Sequence, residues 1–302
     1  MKLSVCIATY RRTERLRSVL GDLALQSHLP DQVVVVDNDV AGSARALVEQ
    51  LRASGAPWPI AYDIQPERNI AATRNLTVRL ADGDWLAFID DDERAPSFWL
   101  ARLTEAAGNC RADAVLGPVD PIVPEEAPDW IRRGRFYDFP RMRTGSVVPP
   151  NRLRFGNVLI RGALVRTLGA APFDPAYGLT GGEDGDLLAR LALGGARIVW
   201  CDEAIVQEPI EKSRLSLKWL LRRAMRGGQD FARHLLAGRY GVHAASRARL
   251  FTRALLQLIV AVVLAALSLP LGRHRAAHWL TKASANLGKL SIFMGWHYQE
   301  YA

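Results

Sequence analysis

Three consecutive carboxylates, Asp90-Asp91-Asp92, with Glu93 behind them, follow the apolar run Trp85-Leu86-Ala87-Phe88-Ile89. The apolar run reads as a strand covered on both faces, so the acidic run lands where that strand emerges. Carboxylates packed this closely repel one another, and some protonate unless a cation compensates them. Hard oxygen donors of this kind suit Mg²⁺ or Mn²⁺ shared with a substrate's phosphates. A solvated acidic turn would have the same composition. A second acidic cluster, Gly181-Gly182-Glu183-Asp184-Gly185-Asp186, stands further along at another strand-to-helix type of boundary. Two such clusters behind a strand-rich N-terminus point to metal-assisted chemistry on a nucleotide diphosphate.

Other residues fit the same chemistry. Ala8-Thr9-Tyr10 leaves the first strand with small and aromatic side chains, suited to a flat base-binding slot. Asp37, at the second strand end, either accepts from a uracil N–H or a ribose hydroxyl, or serves as a helix-entry carboxylate. Arg74 either meets a diphosphate or one of the Asp residues, or makes a surface salt bridge. On an extended backbone Asp90 and Asp92 share a face and Asp91 points away. Glu183 and Asp184 follow two glycines that let backbone approach a bulky substrate closely. A carboxylate there can take the proton of an attacking hydroxyl, or Asp184 and Asp186 can cap the next helix. Glu208 is either a further neighbour of the metal or diphosphate, or a surface ion-pair partner.

The elements that must position these groups alternate strand and helix. Strands are expected at 3–8, 33–36, 60–64 and 84–89. Helices are expected at about 12–26, where Leu16, Val19, Leu20 and Leu23 give an apolar face, at 43–53 and at 70–81. This alternation implies right-handed crossovers and a mostly parallel sheet. Ligands bind beyond the carboxyl ends of such strands, where Thr9, Asp37 and Asp90 all fall. Residues 118–151 are rich in Pro and aromatics, and read as a long substrate-facing loop or an inert excursion. A helix at 186–194 and a strand at 198–201 follow.

Composition bounds the rest. The chain has 302 residues, 49% hydrophobic and 23% charged, ordinary for a globular α/β domain with an appendage. The formal charge of +8 fits nucleic acid or an anionic membrane surface. Arg222, Arg223, Arg226, Arg233, Arg239, Arg247, Arg249 and Arg253 precede the uncharged stretch 254–272. No zinc-finger spacing or aromatic RNA-binding signature accompanies them, so the membrane is preferred over nucleic acid. The apolar stretch reaches the minimum for a bilayer span, with Arg253 and Arg273-His274-Arg275 at its ends. A buried hairpin helix or an in-plane anchor would look the same. Cys6, Cys110 and Cys201 form neither a metal spacing nor a disulfide framework, as in a reducing compartment. The N-terminus does not read as a signal peptide.

The ordered set Ser4-Val5-Cys6-Ile7-Ala8-Thr9-Tyr10 with Arg12, Val35-Val36-Asp37-Asn38, Ala72-Thr73-Arg74-Asn75, Asp90-Asp91-Asp92, Gly156-Asn157 and Gly182-Glu183-Asp184 resembles family 2 glycosyltransferases. The resemblance covers roughly residues 3–210 and implies a GT-A fold, Rossmann-like with flanking helices, and an inverting transfer from a nucleotide sugar. It implies that Ala8, Thr9, Tyr10, Arg12, Asp37, Arg74, Asp90 and Asp91 bind the donor, with Asp90 at the ribose. It further implies that Asp92, with Asp90, holds Mn²⁺ or Mg²⁺, that Asp184 is the base, and that Glu183 positions the acceptor. The basic and apolar tail is similar to that of membrane-associated members building bacterial exopolysaccharide, of the succinoglycan type. Residues 1–210 are thus expected to be the catalytic domain and 211–302 a membrane-associating helical region. Ser216-Leu217-Lys218-Trp219 departs from the Gln-rich, Arg-Trp motif of polymerising members, so a single addition is expected. The expected donor is a UDP-sugar and the expected acceptor an oligosaccharide on a polyprenyl diphosphate, at the cytoplasmic face of a bacterial inner membrane. Sugar transfer onto polyprenyl phosphate and a non-catalytic, membrane-tethered binding module of the same fold are the alternatives.

Overall fold

A computed structural model describes residues 1–241 and 246–300, which form two compact units. The first comprises residues 1–120 and 139–208 and is built on a seven-stranded sheet in the order β3-β2-β1-β4-β7-β5-β8. Its elements run β1 (Leu3–Thr9), α1 (Thr13–Ala24), β2 (Gln32–Asp37), α2 (Arg45–Ala53), β3 (Ile60–Ile64), α3 (Ile70–Leu80) and β4 (Trp85–Phe88). After these come α4 (Trp99–Asn109) and β5 (Ala114–Leu116). Strands β1, β2, β3 and β4 pair in parallel, as do β5 and β8.

Strand alternation explains the layers. Val5, Ile7, Val33 and Val35 turn to one face with Leu16, Leu20, Leu47, Leu100 and Leu103, which come from α1, α2 and α4. Cys6, Val34, Val36 and Phe88 turn to the other face with α3 and a later helix, α7 (Glu183–Leu193). All six residues of β2 are buried, which is why its valine run is unbroken. Each of those valines contributes about 1.5–3 kcal/mol by leaving water.

The mostly parallel sheet expected from the sequence is present, with one exception. After β6 (Val119–Ile122) and a short α5 (Asp129–Gly134), β7 (Val158–Arg161) runs antiparallel between β4 and β5. Its start therefore lies beside the end of β4. Helix α6 (Gly162–Thr167), α7, β8 (Ile198–Trp200) and β9 (Val206–Pro209) complete the order, and β9 pairs with β6 in a two-stranded ribbon.

The second unit comprises residues 121–138 and 209–300. Helix α8 (Leu217–Leu236) packs on α10 (Arg273–Ser291), which also packs on α9 (Arg247–Ser268). Gly228 and Gly288 bring the backbones of α8 and α10 together: a Cβ at Gly228 would strike the Ala285 carbonyl, and one at Gly288 the Met225 carbonyl. The long loop expected at 118–151 is divided between the units. Ile131 and Tyr137 are buried with Ile210 and Leu220, and Trp130, Phe136 and Trp219 pack around them. These aromatics are core, and neither a substrate-facing surface nor an inert excursion describes them. Residues 139–150 instead join the first unit, where Val147 bridges Val199.

Candidate active site

Parallel pairing aligns Thr9 with Asp37 at the carboxyl ends of β1 and β2, and β4 beside β1 delivers the acidic run to the same edge. Strand β4 ends at Phe88, and Asp91-Asp92 lie in a turn closed by the Glu93 amide on the Asp90 carbonyl, 3.2 Å. The alternation that would put Asp90 and Asp92 on one face does not apply there. Instead Asp91 and Asp92 share a cation: Arg12 Nη1 donates to Asp91 at 2.9 Å and to Asp92 at 3.2 Å. Arg15 donates to Asp92 at 3.4 Å, and Thr9 Oγ1 donates to the buried Asp91 at 2.8 Å. Burial raises the Asp91 carboxyl above its usual range, against the pull of Arg12.

Asp90 turns toward Arg74, whose Nη2 donates to it at 3.1 Å. The same guanidinium donates to Glu183, lies 3.7 Å from Asp184 Oδ2 and covers the Phe155 ring at 4.9 Å. Three carboxylates from two distant acidic clusters thus meet one buried arginine. Asp90 is pushed up to about 6, first by the poorly hydrated wall behind it and then by Asp92, Asp91 and Asp184, while Arg74 lowers it. Its side chain nonetheless keeps 45% of its surface open.

Local sequence explains how the second cluster arrives. Asn75 Nδ2 donates to the Phe173 carbonyl at 2.7 Å and the Phe173 amide returns the bond at 2.9 Å, tying α3 to the segment before α7. Gly181 and Gly182 then take φ of +79° and +97°, and α7 begins at Glu183. Neither Asp184 nor Asp186 is the N-cap, which is Gly182; Asp184 accepts from the Gly185 amide at 2.6 Å and Asp186 from Arg190 at 2.7 Å. Glu183 and Asp184 stand in the first turn of α7, at the positive end of its dipole. Glu183 is buried, whereas the Asp184 side chain keeps 33% of its surface open.

Antiparallel β7 brings Gly156 and Asn157 beside the acidic turn. Gly156 has φ +103°, and a Cβ there would lie 2.9 Å from Glu93 Oε1. Glu93 is buried, accepts from the Asp90 amide at 3.0 Å, and is raised well above its usual range by burial, then by Asp90, Asp92 and Glu208. Asn157 accepts from Trp99 Nε1 at 2.8 Å and donates to the Pro118 and Ala204 carbonyls, so it locks the strand ends.

Asp37 is fully buried. Its carboxylate accepts from the amides of Asp39 and Ala44 at 3.0 and 2.7 Å, from Ser43 Oγ, and from Tyr62 OH at 3.3 Å. Asp37 thus closes the loop that enters α2. Burial beside this carboxylate raises the Tyr62 phenol to about 12. Three residues were passed over in the sequence: Arg11 makes a two-pronged pair with Asp39, and Arg11 and Arg68 place their guanidinium carbons 5.1 and 4.9 Å from the Tyr10 ring centre. The Asp-Asn-Asp spelling after β2 was the available signal for Asp39; nothing local marked Arg68.

Among the described residues no three metal-binding side chains already converge in a cage. The donor set is nonetheless hard carboxylate oxygen in excess over Arg12, Arg15 and Arg74. That set suits a divalent cation which arrives with phosphate oxygens to complete its shell.

The sequence profile of "Glycosyl transferase family 2" matches residues 4–166. The succinoglycan biosynthesis protein ExoM of Rhizobium meliloti (strain 1021) is 38% identical over 252 residues, covering 81% of this chain and 79% of that protein. Two solved structures share the fold. The mannosyltransferase PcManGT from Pyrobaculum calidifontis, in complex with GDP-Man and Mn²⁺, aligns with a TM-score of 0.67 at 18% identity, over 98% of this chain and 87% of that one. The S. aureus protein TarS (residues 1–349), in complex with UDP-GlcNAc, aligns at 0.55 and 17%, over 99% and 93%.

Proposed function

This chain belongs to glycosyl transferase family 2, and from that premise we propose that it moves one sugar, with inversion, from a nucleotide sugar to a lipid-linked oligosaccharide. Exopolysaccharide assembly is the setting, by analogy with the succinoglycan protein it resembles. A UDP-sugar is the favoured donor; the two solved neighbours hold GDP-Man and UDP-GlcNAc. The observation that carries the reading is the meeting of Asp90, Glu183 and Asp184 on Arg74 at the carboxyl ends of the central strands.

The mechanism follows from exposure and charge. Asp184, the more open of the Glu-Asp pair, takes the proton of the acceptor hydroxyl. The acceptor oxygen then forms its bond to the anomeric carbon as the bond to the donor's diphosphate oxygen breaks, and the nucleoside diphosphate leaves with that electron pair. Arg74 pairs with Glu183 and holds both acidic clusters in register, so Glu183 can orient the acceptor. Tyr10, flanked by Arg11 and Arg68, stacks the base, and Ala8 leaves room for it. Asp37 acts through the loop it closes, and Asp91, with Thr9, fixes Arg12 near the diphosphate. Asp92 with Asp90 would hold Mn²⁺ or Mg²⁺. When bound, such a cation neutralises the departing diphosphate.

The catalytic role belongs to residues 1–210, and the helices of 211–302 attach the chain to an anionic membrane. Nucleotide sugars are made in the cytoplasm, which puts the reaction at the cytoplasmic face of a bacterial inner membrane. The test is to incubate membranes bearing the protein with a panel of radiolabelled nucleotide sugars, Mn²⁺ and polyprenyl-diphosphate acceptors, and to determine the anomeric configuration of the product. Transfer with inversion is expected, suppressed by EDTA. Retention of configuration, or release of free sugar alone with every acceptor, would refute the reading.

A further inference from the structure

The membrane reading leaves open whether α9 crosses the bilayer. At 22 residues it is about 33 Å long, enough to do so. Its surroundings decide the matter. Leu250, Ala254, Ala261 and Ala265 lie on one side and are buried, whereas Leu256, Val260, Val263 and Leu267 on the opposite side are each more than half exposed. The buried side packs on α10, which follows after four residues, Leu269 to Gly272, and so runs back antiparallel to it. Phe251 meets Phe293 edge-on at 5.4 Å, which joins the far ends of the two helices, so they stay paired along their whole length.

Helix α10 cannot enter hydrocarbon. It carries Lys282 near its middle and Lys289 further on, with Asn286 and Ser291 buried against neighbours. On its other side lies α8, with Lys218, Arg222, Arg223 and Arg226. A spanning α9 would take this whole array of cations into the bilayer core. Residues 209–300 hold fifteen Lys and Arg against three Asp and Glu, more than the whole chain's net +8. Their charge complements acidic headgroups. An open cleft of about 440 Å³ stands where the hairpin turns, lined by Arg133, His274, Arg275, His278 and Trp279 beside Leu271, and it has room for such a headgroup.

We infer that α9 lies in the plane of an acidic phospholipid surface, with its Leu256–Leu267 line in the acyl region and both helix ends on the same side of the bilayer. Arg249 and Arg253 then reach back to lipid phosphates at one end, and Arg273 and Arg275 at the other. This rests on the reading that residues 211–302 meet a membrane.

The test uses the full chain with Cys110→Ser as background, bearing Ser246→Cys or Arg275→Cys at exposed positions flanking α9. A membrane-impermeant maleimide is applied to sealed right-side-out and inside-out vesicles from cells that make each variant. Both thiols should react in the same vesicle orientation and neither in the other. Labelling of one thiol from each side would overturn the in-plane placement while leaving membrane attachment intact. Recovery of the unmodified chain in the soluble fraction would instead refute the membrane reading beneath it. As a second arm, Leu256→Glu with Val263→Glu should lower sedimentation with phosphatidylglycerol vesicles at least tenfold at an unchanged melting temperature. A collapsed melting temperature would mean that this line is packed against protein, against the inference.

Discussion

Arg74 is the residue on which the two acidic clusters depend, since it is 8% exposed and Glu183, one of its partners, is 1% exposed. Replacing it with Met would leave a buried carboxylate without its cation. Such losses cost roughly 3–5 kcal/mol, so Arg74→Met should lower the urea midpoint markedly and abolish transfer. An unchanged midpoint would show that the pairing of Arg74 with Glu183 does not hold the two clusters together. Asp91 and Asp92 should separate in the same assay. Asp92→Ala should remove transfer with little change in stability, whereas Asp91→Ala should also destabilise, because it strips the acceptor from Thr9 and Arg12. The acidic runs themselves were legible in the sequence. Their cations were not, because Arg12 and Asp91 are 79 positions apart and only the parallel pairing of β1 with β4 makes them neighbours. The expected shared face of Asp90 and Asp92 failed for a related reason: strand periodicity was carried to Asp92, four residues past the end of β4 at Phe88.

At the scale of elements, the parallel part of the sheet was readable because β1, β2 and β4 are buried on both faces and write themselves as apolar runs. Strand β7 was not foreseen, since four residues between β4 and β5 carry no signal of direction. It matters because it sets Gly156 against Glu93. Gly156→Ala combines a positive φ with a 2.9 Å approach to Glu93 Oε1 and should cost roughly 1–3 kcal/mol in urea unfolding. An unaffected midpoint would mean that this loop yields easily. The bounds of helix α10 escaped sequence reading for another reason: apart from Leu290, the face it packs is made of Ala, Gly, Asn and Ser, which carry little hydropathy. At Gly288 two effects compete. Alanine favours a helix by about 1 kcal/mol, but its methyl would strike the Met225 carbonyl, and overpacking of this kind costs roughly 1–3 kcal/mol. Gly288→Ala should therefore destabilise the C-terminal unit.

For the whole molecule, the apolar stretch 254–272 announced itself, yet its meaning lay in what packs on it. A chain ended near residue 245 would lose α10 and with it the cover over Gly228 of α8, so such a truncation should aggregate and not merely detach from membranes. The central claim is sugar transfer with Asp184 as base, and one comparison tests it most directly. Asp184→Asn keeps the size of the side chain and removes its basicity. In membranes supplied with a radiolabelled UDP-sugar, Mn²⁺ and a polyprenyl-diphosphate acceptor, this variant should bind donor as the wild type does and transfer at least roughly 100-fold more slowly. Transfer at the wild-type rate by Asp184→Asn would contradict the account.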